Sequence, residues 1–176
     1  MIKIAGIDPS INGTGKTIMT LNEKFDVVSV DFYGITKCVT RGYENGNVHV
    51  ITYSPGYVKR PMLERQDEAY GLLDAGMDGV SYASFEDYAY GKAKRKQSGQ
   101  IFQIAEFCGG LKRHYHLKGI GIVVYGIDQI KKFATGDGSA GKPMMCQALE
   151  ECRPDLCPPC FKEWERLTKM KRYDSP

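Results

Sequence analysis

The order of strand-like and helix-like segments constrains the fold of this 176-residue chain more than any other feature. Apolar residues alternate or are β-branched in three consecutive segments, at residues 2–7, 16–21 and 25–34, which predicts three successive strands. Residues 38–53 then resemble an extended hairpin arm, because Asn45-Gly46 is a strong signal for a two-residue turn.

The second half of the chain alternates between helix and strand. Helices are predicted at 61–75, 98–117 and 143–151, and strands at 79–91 and 119–126. One face of the first helix would carry Met62, Leu63, Tyr70 and Leu73, and the clearest apolar stripe is Ile101, Ile104, Ala105, Cys108, Leu111 and Tyr115. The continuous apolar run at 119–126 favours a central parallel strand, and residues 127–142 resemble a polar connection. This order predicts one α/β domain over residues 1–176, with a mixed sheet.

The first predicted strand continues into the stretch GIDPSINGTGKT, residues 6–17, which allows two interpretations. Ser10 to Thr17 lacks only the first glycine of a phosphate-binding P-loop. A P-loop must open a helix, whereas the residues after Thr17 have strand character. We therefore favour a β-hairpin with Gly13 and Gly15 as turn residues and Lys16 as a solvated or phosphate-facing charge.

The other interpretation gives the chemistry to acids at strand ends. Asp8 follows the first predicted strand, and Glu86 ends the strand predicted within 79–91. Buried unpaired carboxylates are costly, and hard oxygen ligands suit Mg²⁺ or Mn²⁺. The residues alone leave a simpler alternative open, in which each acid caps a turn or pairs with a lysine.

Composition narrows the function classes further. The net charge is only +3, but Lys92, Lys94, Arg95 and Lys96 form a basic cluster that is either a phosphate-binding patch or a solvated loop. Among the six cysteines, Cys152, Cys157 and Cys160 lie close together, and reduced thiols are favoured over a zinc site. Neither a membrane-length apolar run nor a signal-peptide pattern is present, so we expect a cytoplasmic protein without membrane contact.

In this order the motifs resemble the RuvC family of Holliday-junction resolvases, particularly its phage-type members. The similar segments are GIDPSINGTG, then SFEDYAYGKAKRKQSGQIFQIAEFCGGL, then IDQIKKFATGDGSAGK, and they span residues 2 to about 150. The resemblance implies a ribonuclease H-like fold with a five-stranded mixed sheet flanked by helices. It also implies a phage-encoded protein acting in the cytoplasm of a bacterial host.

The resemblance assigns roles to individual residues. Asp8 and Glu86 would be catalytic carboxylates that bind Mg²⁺ or Mn²⁺, and Lys131 and Lys142 would contact DNA. Tyr88 and Tyr90 lie near the position of the family's junction-inserting aromatic, although Ala89 occupies the position where its phenylalanine commonly lies. The family adds two acids near a final helix. Here Asp174 is a candidate third ligand, or a C-terminal helix lies beyond the 176 residues.

The function implied is metal-dependent cleavage of four-way junctions and other branched DNA by a homodimer, whose interface would include the helix at 98–117. Two alternatives stay open at this point. One is a junction-binding protein without catalysis, and the other is a ribonuclease H-like ATPase, which would need two such domains.

Overall fold

The described residues of the chain form one seven-stranded mixed β-sheet. The structure, a computed structural model, describes residues 1–10, 13–36, 43–87, 98–152 and 154. The strands are β1 (Ile2–Asp8), β2 (Gly13–Leu21), β3 (Val27–Thr36), β4 (Tyr43–Asn45), β5 (Val48–Thr52), β6 (Val80–Asp87) and β7 (Gly121–Gly126). The helices are α1 (Met62–Leu73), α2 (Ser98–Leu117), α3 (Ile127–Thr135) and α4 (Lys142–Cys152), with a short 3-10 helix at Tyr57–Lys59.

The strand order is β4-β5-β3-β2-β1-β6-β7. Strands β1, β2 and β3 form an antiparallel meander, and β6 joins β1 in parallel, followed by β7 in parallel. This arrangement confirms the predicted mixed α/β sheet. The expected count of five strands is too low, because β5 pairs in parallel with β3 and brings β4 with it into the sheet.

Alternation along the central strands separates a core face from an outer face. Ala5 and Ile7 of β1 are buried, as are Ala83 and Phe85 of β6. They form one hydrophobic cluster with side chains of α1 and α2, among them Leu73, Phe107, Leu111 and Tyr115. We call this side of the sheet the core face and the opposite side the outer face. Because successive strand residues point to opposite sides, Gly6 and Asp8 belong to the outer face.

Helices α1 and α2 agree closely with the helices predicted from the sequence. Helix α2 has the predicted bounds, and Cys108, Leu111 and Tyr115 of the predicted stripe are buried. Helix α1 begins directly after Pro61, whose fixed φ suits that place. The prediction for Leu63 is wrong, because this side chain is largely exposed. Leu63 precedes the buried Leu73 by about 2.8 helical turns, so it lies roughly 80° away from Leu73 around the helix.

Three further predictions need correction. Strand β7 lies at the edge of the sheet rather than at its centre, and its Val124 and Tyr125 are exposed. Residues 127–135 form helix α3 instead of a polar connection. The hairpin turn lies one residue later than predicted, at Gly46 and Asn47, because Asn45 still pairs with Val48.

The contacts of the chain divide it into two units, Met1–Ile127 and Asp128–Pro176. The first contains the sheet with α1 and α2, and the described part of the second consists mainly of α3 and α4. The single domain expected over residues 1–176 stays a prediction. Across the described ranges, the helices are too short or too polar to cross a bilayer.

Candidate active site

Two carboxylates lie at the carboxyl ends of adjacent parallel strands. Asp8 is the last residue of β1, and Glu86 is the penultimate residue of β6. The strands pair with Ile7 opposite Phe85, so the next residues along are Asp8 and Glu86. Since Ile7 and Phe85 point into the core, alternation places both acids on the outer face. Asp8 is exposed and Glu86 is half-buried. The structure therefore places the two predicted carboxylates on one face of the sheet, at neighbouring strand ends.

The outer face beside Asp8 has open space. Gly15 of β2 pairs with Asp8, and Gly34 of β3 pairs with Gly15. A Cβ atom added to either glycine would meet no other atom of the described residues within 4 Å. The positions beside Asp8 on β2 and β3 are therefore not filled by described side chains within this distance.

The chain turns back sharply after Asp8. Pro9 is buried, and the Ser10 N–H donates to Thr14 Oγ1 at 3.1 Å, while the Thr14 hydroxyl donates to the Ser10 carbonyl at 2.8 Å. The turn thus lies between Asp8 and Gly13, with Ile11 and Asn12 outside the described residues. The prediction that Gly13 and Gly15 are turn residues is wrong, because both already belong to β2.

Lys16 has a role that the sequence interpretation missed. Its side chain is only 2% exposed on the core face, and its Nζ donates to the Leu73 carbonyl at 2.7 Å and also to the Ala75 carbonyl. The ammonium lies 4.3 Å from the centre of the Tyr33 ring. Burial lowers the pKa of Lys16 to about 8, partly offset by the charge of Asp74.

These contacts exclude the P-loop interpretation and correct the expectation for Lys16. The residue caps carbonyls at the C-terminal end of α1, where a cation is favourable, so it is neither solvated nor phosphate-facing. Strand β2 continues to Leu21 without opening a helix. The signal was present in the sequence, because Thr14, Lys16 and Ile18 share one side of an alternating strand.

Several predicted site residues lie outside the described residues. They are Tyr88, Tyr90, Lys92, Lys94, Arg95, Lys96 and Asp174. The same holds for Cys157 and Cys160 of the zinc alternative, whereas Cys152 is an exposed free thiol at the end of α4. The roles of all these residues stay predictions.

The two carboxylates have the chemistry of a magnesium site. Within the described ranges, no three or more His, Cys, Asp or Glu side chains are grouped so that they could hold a metal ion. Mg²⁺ keeps much of its water and is commonly bound by one or two carboxylates together with substrate phosphates. Asp8 and Glu86 therefore fit such an ion if water and phosphate oxygens supply the other ligands.

The predicted DNA-contacting lysines both lie in the second unit. Lys131 is a half-buried residue of α3, and Lys142 is the exposed first residue of α4. The connection between them is ordered by Asp137, whose carboxylate accepts from the Ser139 N–H and hydroxyl. These hydrogen bonds lower the pKa of Asp137.

Comparison with known proteins identifies the fold. No family model matches the chain, and no curated protein matches its sequence. The Thermus thermophilus RuvC structure aligns with a TM-score of 0.58 at 16% identity, covering 85% of this chain and 79% of that chain. T. thermophilus RuvC in complex with a Holliday junction substrate gives a TM-score of 0.59 at 16% identity, covering 86% and 79%.

A third solved structure belongs to the same group. The yeast mitochondrial Holliday junction resolvase Ydc2 aligns with a TM-score of 0.50 at 14% identity, covering 84% of this chain and 60% of that chain. The chain therefore has the ribonuclease H-like fold of the RuvC resolvases. This confirms the fold that the motif resemblance implied.

Proposed function

We propose that this protein is a structure-selective endonuclease that resolves Holliday junctions and other branched DNA by metal-dependent hydrolysis. The observation that carries the proposal is the position of Asp8 and Glu86. They lie on one face, at neighbouring strand ends, of a RuvC-type fold. The solved neighbours include a RuvC bound to a Holliday junction substrate and a mitochondrial Holliday junction resolvase.

The reaction is hydrolysis of a phosphodiester. Bound Mg²⁺ or Mn²⁺ would activate the attacking water and stabilise the charge that develops on the leaving oxygen. Asp8 and Glu86 would hold the ions, and the open space beside Gly15 and Gly34 would admit the phosphate. The chain's contribution is thus to fix two anionic ligands on a rigid sheet, so that little reorganisation is needed during reaction.

The placement of Lys142 supports DNA binding by the second unit. A cation is unfavourable at the N-terminal end of a helix, because the helix dipole is positive there. Helix α4 nevertheless begins with Lys142 and has no acidic residue in its first turn. A DNA phosphate would neutralise Lys142 at this helix terminus, where an anion is favourable, and Lys131 would contact another phosphate.

A homodimer would match the approximate two-fold symmetry of a four-way junction. Phe102, Gly109 and His116 recur every seven residues on α2, and all three are exposed. Phe102 is 73% exposed, and a Cβ at Gly109 would meet nothing within 4 Å in the described chain. We therefore propose that this stripe of α2 packs against its copy, with Gly109 permitting close approach.

Cleavage of synthetic DNA tests the proposal directly. The purified protein is incubated with an end-labelled four-way junction, or with a linear duplex of the same arm sequence, in Mg²⁺, Mn²⁺ or EDTA. We expect paired nicks in opposite strands of the junction with either metal, none in EDTA, and at most slow cutting of duplex. Equal cleavage of the duplex would contradict structure selectivity.

One observation favours a second candidate function, junction binding without catalysis. The described residues contain two acids at the site and no third ligand group. A junction-binding protein without catalysis would bind the four-way junction tightly in the same experiment and leave it intact in both metals.

A further inference from the structure

The turn after Asp8 is closed by one buried hydroxyl. The Thr14 side chain accepts the N–H of Ser10 at 3.1 Å and donates to the carbonyl of the same residue at 2.8 Å. Thr14 is 2% exposed, so its hydroxyl lies in the protein interior, while Ser10 is half-buried. A single side chain thus binds both backbone polar groups of the residue two positions after Asp8.

These bonds extend the β1–β2 ladder beyond its last strand pair. The antiparallel register ends with Asp8 opposite Gly15, and Thr14 directly precedes Gly15. Pro9, between Asp8 and Ser10, has no N–H to donate and a fixed φ, and it is buried. The segment from Asp8 to Ser10 is therefore held at both ends by neighbouring residues of β2.

We propose that Thr14 is a positioning residue, whose hydroxyl locks this turn and thereby holds the Asp8 carboxylate in one orientation. The inference rests on the proposed function of Asp8 and deepens it. Thr14 points to the core face with Lys16, whereas Asp8 belongs to the outer face. Thr14 consequently acts through the backbone and does not touch metal or DNA.

Threonine has the chemistry that this position requires. A hydroxyl can accept one hydrogen bond and donate another, which is the pattern at Ser10. The β-branched side chain has a restricted χ1 and suits a strand, so the oxygen is held in place. Valine would keep the shape and strand preference while removing both hydrogen bonds, so the Thr14→Val variant should fold.

The first measurement is independent of activity. NMR of the metal-free protein gives the amide exchange rate of Ser10 and the scalar couplings that report χ1 of Asp8. In Thr14→Val we expect Ser10 exchange to rise at least about tenfold and the Asp8 couplings to become averaged. Thr14→Ser should restore both values. Thr20→Val is the matched control, because Thr20 lies in the same strand beside Lys3, far from Asp8.

The second measurement is junction cleavage as a function of Mg²⁺ concentration. We expect Thr14→Val to lower the maximal rate about tenfold or more and to raise the Mg²⁺ midpoint, with junction affinity unchanged. Thr14→Ser should recover most of the rate, and Thr20→Val should match the unmodified protein. A role in overall stability alone would not raise the Mg²⁺ midpoint while leaving junction affinity unchanged.

The two measurements separate the failure of this inference from that of the proposed function. If the unmodified protein does not cleave while the NMR results hold, the nuclease assignment fails and the positioning of Asp8 by Thr14 stands. If Asp8 samples several χ1 rotamers in the unmodified protein, or if Thr14→Val leaves its couplings unchanged, the inference is overturned whatever the activity.

Discussion

The two faces of the β1–β2 hairpin use polar side chains in opposite ways. On the outer face, Asp8 is exposed beside two glycines and lies next to Glu86. On the core face, Thr14 and Lys16 are each 2% exposed and bind backbone groups of Ser10, Leu73 and Ala75. Side chains of a strand alternate between its two faces. This alternation alone decides whether a polar residue of this stretch is exposed at the candidate site or buried in a structural role.

This difference has an energetic consequence. Asp8 is exposed and Glu86 is half-buried, and we expect substitution of either acid by its amide to leave the fold intact. Burial desolvates the Lys16 ammonium, which is unfavourable. Hydrogen bonds to carbonyls at the end of α1 and contact with the face of the Tyr33 ring offset this desolvation. Substitutions on the outer face should therefore mainly lower activity, and substitutions on the core face should mainly lower stability.

The largest expected effect is on cleavage. Asp8→Asn keeps the side-chain shape and removes the charge that would hold a cation, so we expect junction cleavage to fall at least about a thousandfold. Glu86→Gln should behave similarly, and the double variant should be little worse than either, because the two carboxylates act as one unit. Binding of the junction should persist in all three, as measured by gel shift.

Asp87→Asn is the matched control for these variants. Asp87 follows Glu86 in β6 and is exposed, but alternation points it to the other side of the strand. We expect it to retain nearly full cleavage. Loss of activity equal to that of Glu86→Gln would show that strand alternation does not separate the two roles at this edge.

The same alternation explains how far the sequence could predict this structure. The bounds of α2 and the positions of Asp8 and Glu86 at or next to strand ends follow from local patterns. Lys16 was misassigned because a lysine in a glycine-rich stretch is usually solvated. Its hydrogen-bond partners are carbonyls 57 and 59 residues away along the chain, and no local sequence pattern predicts them.

Other errors have the same physical origin. The apolar run of β7 is compatible with a central or an edge strand, since strand order depends on pairing between distant segments. Joining β5 to β3 likewise needs a non-local contact. Helix α3 was missed because its polar residues masked Ile127, Ile130 and Ala134, which recur at helical spacing. The site could be predicted because each of its acids lies at or next to the end of a strand that the local sequence pattern indicates.

The second expected effect tests the core face. Lys16→Ala removes two hydrogen bonds at the end of α1 and leaves a cavity, so we expect the free energy of unfolding to fall by about 2–4 kcal/mol. Urea unfolding followed by circular dichroism measures this change. Lys24→Ala, at an exposed position in the β2–β3 turn, should change stability by less than about 0.5 kcal/mol. Equal effects of the two substitutions would contradict the burial of Lys16.

The third expected effect is a pH dependence of stability. Burial lowers the pKa of Lys16 in the folded protein to about 8, so between pH 8 and the ordinary lysine pKa the unfolded chain binds more protons. Stability then rises with pH across this window, and the full cost of the buried charge is present below it. Relative to Lys16→Met, we expect the unmodified protein to gain about 2 kcal/mol between pH 7 and 9.5. A flat difference would mean that Lys16 is solvated in solution.

The smallest expected effect compares this buried lysine with the lysines of the second unit. Lys142→Ala and Lys131→Ala should each weaken junction binding by roughly three- to tenfold near physiological salt, and each should reduce the slope of log affinity against log salt by about one. Thermal stability should hardly change for Lys142, which is exposed. Lys24→Ala removes the same charge from the β2–β3 turn of the first unit and should leave the salt slope unaltered. If the slope is unchanged in both Lys131→Ala and Lys142→Ala, these two lysines of the second unit do not contact DNA.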